Sequence, residues 1–139
     1  SRLLNDQSPA IFEDGEQSRD FVHVSDIVQA NLLALDTDKA DFEAMNVGTG
    51  RATTVRQIAE LLAKGLGKEI GPTIVGKYRE GDIRHCVADI SKARQLLGYE
   101  PKVALEAGLA ELLDWLGTQN ANDRVEAATA ELSQKGLVK

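Results

Sequence analysis

The chain has 139 residues, 42% of them hydrophobic and 27% charged, with a formal net charge of -6. That is the size and composition of one globular domain with its own core. The acidity excludes non-specific nucleic-acid binding, which needs a basic face to displace counterions, and the single Cys86 excludes an internal disulfide and a cysteine metal cluster. The lone cysteine fits a reducing cytoplasm, and no apolar run approaches the length of a membrane span and no signal peptide is visible, so no membrane contact is expected. With three Phe, two Tyr and one Trp, the core must be filled by Leu, Val, Ile and Ala.

Ser1-Arg2-Leu3-Leu4-Asn5 has no initiator Met and reads as the last turn of a helix, as truncation or proteolysis would leave it. Asn5-Asp6 and Gln7-Ser8-Pro9 then supply stop and turn signals. Ala10 to Glu13 and Arg19 to Val24 are β candidates joined as a hairpin through Asp14-Gly15. Ser25 or Asp26 is placed to cap a following helix, whose apolar face is Ile27, Ala30, Leu32, Leu33 and Leu35. Ala44 to Val47 is a third strand candidate, closed by Gly48-Thr49-Gly50.

Thr54 and Gln57 make a capping-box pattern before Val55, Ile58, Leu61, Leu62 and Leu66, a helical stripe ended by Gly65 and Gly67. Ile70 to Val75 is a weaker strand, interrupted by Gly71-Pro72. Asp89 is placed to cap a short helix, Ile90 to Leu97, stopped by Gly98. Leu105, Leu109, Leu112, Leu113 and Leu116 mark the best amphipathic helix, read as core with a dimer contact as the alternative. A polar link, Thr118 to Asp123, leads to a thin helical tail with Val125, Ala128 and Leu132 on one side. The class is α/β, with few short strands among helices and too few strands for a complete doubly wound sheet.

Arg19 and Arg79 carry the chemistry that stands out. A guanidinium offers paired donors that match phosphate oxygens and stays charged at any working pH. Two arginines from separate loops suit the two phosphates of a nucleoside diphosphate, and Asp82, three residues after Arg79, suits ribose hydroxyls. Spacing alone leaves solvated ion pairs open, Arg19 with Asp20 or Asp26 and Arg79 with Glu80.

Several co-linear segments resemble the NAD-dependent nucleotide-sugar epimerases and dehydratases, the extended short-chain dehydrogenase/reductase family. They are Arg19-Asp20-Phe21-Val22-His23-Val24-Ser25-Asp26, Asn46-Val47-Gly48-Thr49-Gly50, Arg79-Glu80-Gly81-Asp82, Ala88-Asp89-Ile90-Ser91-Lys92-Ala93 and Leu97-Gly98-Tyr99-Glu100-Pro101. Residues Gly81 to Cys86 and the tail from Arg124 to Val138 look most like the dTDP-L-rhamnose 4-epimerase branch, beside a UDP-glucose 4-epimerase-like one. The resemblance implies the C-terminal, substrate-binding part of such an enzyme over residues 1–117, with 118–139 as link and tail and the Rossmann half absent. It implies a nucleoside-diphosphate sugar as ligand, with Arg19 and Arg79 on the diphosphate and Asp82 on the ribose. The strand Ala10-Ile11-Phe12 would run against the base. It also implies NAD in the full-length enzyme, bound outside this chain, and a homodimer.

The resemblance further implies a proton-transferring Tyr with a Lys four residues later. Tyr78 has Asp82 at that spacing and Tyr99 has Val103, so no catalytic residue is expected here and the isolated chain should be inactive. Gly48-Thr49-Gly50 is a lone Gly-x-Gly with Thr53 where a third small residue belongs, and reads as a plain turn. His23 reads as a packed imidazole and Cys86 as a small buried hydrophobe, and His85 beside Cys86 lacks the further ligands a metal needs. Helices that would cover the absent sheet are expected to be exposed, which favours self-association.

Overall fold

Each strand in the computed structural model, which describes residues 1–139, is only two residues long. The sheets are therefore junctions, and helices supply most of the packing. The chain forms two compact units. One joins Ser1–Gln17, Thr54–Arg84 and Leu109–Lys139; the other joins Ser18–Thr53 and His85–Gly108.

In the first unit, β1 (Ala10–Ile11) pairs in parallel with β4 (Thr73–Ile74), and Ile11 is buried. The bonds run on either side, from Thr73 N to the Pro9 carbonyl and from Val75 N to the Ile11 carbonyl. Helix α2 (Val55–Gly65) starts as its sequence requires: Thr54 accepts from Gln57 N while the Gln57 side chain accepts from Thr54 N. It buries Ala59 and Ala63. Helix α5 (Val125–Gln134) is tied to the chain's first residues, because Arg2 pairs with Asp123 and Glu126 and Asn5 Nδ2 donates to the Ala121 carbonyl. At its end Gly136 takes φ 67 while Gly136 N bonds the Ser133 carbonyl and Leu137 N the Leu132 carbonyl. This is a Schellman turn, and it sends the chain back out of the helix. Leu137–Lys139 then lie antiparallel to Tyr78–Glu80, with Arg79 opposite Val138.

The second unit has the better core. Ala30 of α1 (Val24–Leu35), Ile90, Ala93 and Leu97 at α3 (Ser91–Leu97), and Tyr99 form one buried cluster. Leu33, Ala34, Ala40, Met45, Val47 and Ala88 pack around it. Here β2 (Ser18–Arg19) pairs in parallel with β5 (His85–Cys86) and lies between it and β3 (Thr53–Thr54). Helix α4 (Leu105–Leu116) follows.

Several expectations change. The strands flanking Asp14-Gly15 do not form a hairpin, since each takes a distant parallel partner that satisfies its backbone instead. Arg19 to Val24 is not one strand either: β2 ends at Arg19 and α1 begins at Val24. Its cap is His23, whose Nδ1 accepts from Ser25 N, while Asp26 is 2% exposed and accepts from the backbone N–H groups of Lys102 and Val103. Ala44 to Val47 has no strand partner. Leu32 and Leu35 point to solvent with Val24 and Val28, because α1 carries more apolar residues than one face can bury. Leu112 is likewise exposed, and no residue of α4 is fully buried. Cys86 is exposed rather than buried, since it ends β5 at the edge of its sheet.

Candidate functional site

The first unit contains an open cleft of about 420 Å³ lined by Glu13, Asp14, Gly76, Tyr78, Arg79, Asp82 and Arg84. One wall begins where β1 ends. Gln17 Nε2 donates to the Phe12 carbonyl at 2.9 Å, and Glu13 N donates to the Lys77 carbonyl at 2.6 Å. These bonds fix Phe12 beside the loop that follows β4. The Arg79 guanidinium lies over the Phe12 ring, 5.5 Å from its centroid, within cation–π range. Its Nη2 meets Asp82 Oδ2 at 2.8 Å, and half of the Arg79 side chain stays open to solvent.

The cleft's acidic groups are answered by a second arginine. Arg84 Nη1 contacts Glu13 Oε2 at 2.6 Å and its Nη2 contacts Asp14 Oδ2 at 2.7 Å. That hydrogen bond from Arg84, aided by the backbone N–H of Glu16, pulls the Asp14 carboxyl down to about 2. The cleft therefore holds Arg79 and Arg84 against Glu13, Asp14 and Asp82, with Arg84 spanning two of the acids.

Structure thus brings together Phe12, Arg79 and Asp82, whereas Ile11 is buried in β1 opposite Ile74 and Ala10 pairs with Thr73. Arg79 pairs with Asp82 rather than with Glu80, whose carboxylate meets Lys139 Nζ at 2.9 Å. Glu13, Asp14 and Arg84 were missed as lining residues. Their only sequence signal was a run of acids before Gly15 and a basic residue shortly after Asp82.

Arg19 belongs to the second unit, half-buried in β2, where its Nη1 donates to the Ser18 carbonyl at 2.8 Å. Asp20 and Asp26 both serve backbone donors. Asp20 Oδ1 accepts from Thr49 N at 2.9 Å and from the Thr49 hydroxyl, and its Oδ2 accepts from Gly50 N at 2.9 Å and Ala88 N at 3.3 Å. Burial alone would raise this carboxyl, but the Thr49 hydroxyl and the backbone donors outweigh it and hold it below the usual range. Beside it, Tyr99 is 0% exposed and donates its hydroxyl to the Gly48 carbonyl at 2.9 Å. Burial and the nearby Asp26 raise the Tyr99 hydroxyl, away from what proton transfer needs.

Those bonds decide the Gly-x-Gly question. The two N–H groups that would cradle a pyrophosphate, on Thr49 and Gly50, already bind the Asp20 carboxylate. A side chain at Gly48 would place its Cβ 2.5 Å from Asp20 Oδ2 and 2.8 Å from Ala88 Cβ, so glycine here serves internal packing. This loop does not fit a dinucleotide. Each histidine meets a serine of the same chain: Nδ1 of His23 contacts the Ser25 hydroxyl at 2.7 Å and Nδ1 of His85 the Ser18 hydroxyl at 2.9 Å. No group of three or more His, Cys, Asp or Glu side chains is placed to hold a metal, and no helix is long and apolar enough to cross a membrane.

The family model described as GDP-mannose 4,6 dehydratase matches residues 2–112. A putative UDP-glucose 4-epimerase of Methanocaldococcus jannaschii is 38% identical over 119 residues, covering 86% of this chain and 37% of that protein. The solved UDP-glucose 4-epimerase of Thermotoga maritima, with UDP-glucose, is 43% identical with a TM-score of 0.76 over 84% of this chain and 37% of its own. The UDP-glucuronic acid 4-epimerase of Bacillus cereus, in complex with UDP-glucuronic acid and NAD, is 33% identical with a TM-score of 0.76 over 84% and 37%. The chain therefore spans little more than a third of the length of these relatives, and its few short strands and five helices match the C-terminal part of such structures. It belongs to the GDP-mannose 4,6 dehydratase family, within the nucleotide-sugar epimerases and dehydratases.

Proposed function

We propose that this chain is the nucleoside-diphosphate-sugar-binding part of an NAD-dependent nucleotide-sugar epimerase that acts at C4 of the sugar, an isomerase. The observation that carries this reading is the Arg79 guanidinium, stacked on Phe12, aligned by Asp82 and half open to a cleft. A guanidinium held from two sides has lost little freedom still to be lost, so a phosphate gains its charge-assisted bonds at low cost. In this reading Asp82 keeps its second oxygen, Oδ1, for a ribose hydroxyl, and the strand Ala10-Ile11-Phe12 runs against the base. Arg19 supplies the second diphosphate contact.

Residues 1–117 carry this binding role and 118–139 form the link and tail. NAD and the proton-transferring groups belong to the remainder of a longer, cytoplasmic, homodimeric enzyme, and the isolated chain is inactive. Binding energy from the unreactive nucleotide positions the reacting carbon. The description of the matching family model favours a second reading, the same part of a dehydratase. Product analysis on the natural-length protein separates the two.

The test of binding is calorimetry on the natural-length protein with UDP-, dTDP- and GDP-glucose. Arg79→Ala and Arg19→Ala are each expected to weaken the best ligand by roughly 2 kcal/mol or more, the value of a charge-assisted bond. Unchanged affinity would return Arg79 to its ion pair with Asp82 and Arg19 to a structural role in β2.

A further inference from the structure

The segment that closes the Arg79 loop lies outside the matched family region, which ends at residue 112. Tyr78 N donates to the Lys139 carbonyl at 2.9 Å, Lys139 N donates to the Tyr78 carbonyl at 3.0 Å, and Glu80 N donates to the Leu137 carbonyl at 2.9 Å. Arg79 and Val138 face each other between those bonds, and Lys139 Nζ pairs with Glu80 at 2.9 Å. Both residues flanking Arg79 are thus pinned through their backbones by one short strand. Without that strand, the loop from Gly76 to Asp82 would keep the Arg79–Asp82 contacts and the Glu13–Lys77 bond as its main ties.

The strand is itself delivered from a fixed point. Gly136 reverses the chain at the end of α5, and Arg2 clasps the end of the link through Asp123 and the first turn of α5 through Glu126. The path runs from Arg2 through the link and α5 to the backbone beside the proposed phosphate ligand.

We propose that Leu137–Lys139 is a positioning strand for the diphosphate-binding loop, setting the orientation of Arg79 for a nucleoside-diphosphate ligand. It acts through Arg79 and touches no ligand. The inference rests on the proposed function, because it assigns the tail to that same site.

A double-mutant comparison tests it, read by calorimetry with UDP-glucose, or with dTDP- or GDP-glucose if one of those binds better. Three variants of the natural-length protein are compared with the parent: Arg79→Ala, removal of Leu137–Lys139, and both together. Removing the strand is expected to raise the Kd about three- to tenfold, the cost of ordering a long side chain and its loop on binding. It should add nothing in the Arg79→Ala background, because the strand works through that residue. Lys139→Met, which keeps the backbone bonds and loses only the ion pair with Glu80, should change the Kd less than removal does. Circular dichroism and the unfolding midpoint check that the shortened protein is folded. An unchanged Kd on removal, with Arg79→Ala still weakening binding, overturns the positioning strand and leaves the site. An equal loss on removal in both backgrounds also overturns it, since the tail would then act elsewhere. No effect of Arg79→Ala overturns the site, and the inference with it.

Discussion

The Gly48–Gly50 loop and the Arg79 loop each carry a sequence mark of anion binding, and the folded chain uses them in opposite ways. In the first, backbone donors aim at a carboxylate the chain supplies itself, Asp20, and a buried tyrosine holds the neighbouring carbonyl. In the second, the guanidinium is aligned by Phe12 and Asp82, yet half of the Arg79 side chain remains in solvent at the edge of a cleft. The lesson is that a donor group marks a ligand site only when its own chain has not already filled it. A self-satisfied loop makes a rigid joint; an aligned but open donor is what the proposed binding site requires.

That contrast can be broken from the Gly48–Gly50 side. Asp20→Ala leaves the Thr49, Gly50 and Ala88 N–H groups without their shared acceptor and is expected to cost about 3 kcal/mol in urea unfolding. A loss below about 0.5 kcal/mol, within the range of ordinary surface substitutions, would show that water serves the loop equally well. Asp20 also gives this effect a pH signature. Its folded-state carboxyl lies below the ordinary value, so the stabilisation is complete above about pH 4 and is lost as pH falls through the lower folded value. The Asp20→Ala protein should lose that part of the acid dependence.

Gly48→Ala is expected to cost somewhat less, about 2 kcal/mol, by forcing a methyl group against Asp20 and Ala88. Differential scanning calorimetry reads it as a lower Tm, and an unchanged Tm would mean that Asp20 can move aside. Gly48→Ala touches neither Arg79 nor Arg19, so nucleotide-sugar affinity in that folded variant should stay close to that of the parent.

Much of the fold was legible from local pattern. The Thr54–Gln57 box, the stripe of α2, the stop of α3 at Gly98 and the extent of α4 are each set by residues within a turn or two of one another. The strands were not legible in the same way. A parallel ladder such as Ala10 with Thr73 or Ser18 with His85 depends on partners more than sixty residues apart, and no local signal announces it. Asp26 was misread as a cap for the same reason, since its acceptors serve Lys102 and Val103.

Within the proposed site, Phe12, Arg79 and Asp82 were singled out by a family resemblance, and their mutual contact is what the structure adds, while spacing alone left Arg79 as a surface ion pair. The Arg84 bridge to Glu13 and Asp14, and the return of Leu137–Lys139 to the Arg79 loop, join segments distant in sequence. A lone arginine or a terminal Leu-Val-Lys carries no mark of such a partner.

The comparison between the two loops is tested most directly by titrating the ¹⁵N-labelled, natural-length protein with UDP-glucose and following backbone amides. Saturable shifts are predicted at Phe12 and across Tyr78–Asp82, with Thr49 and Gly50 unmoved because Asp20 occupies their N–H groups. Shifts at Thr49 and Gly50 with none across Tyr78–Asp82 would contradict the account.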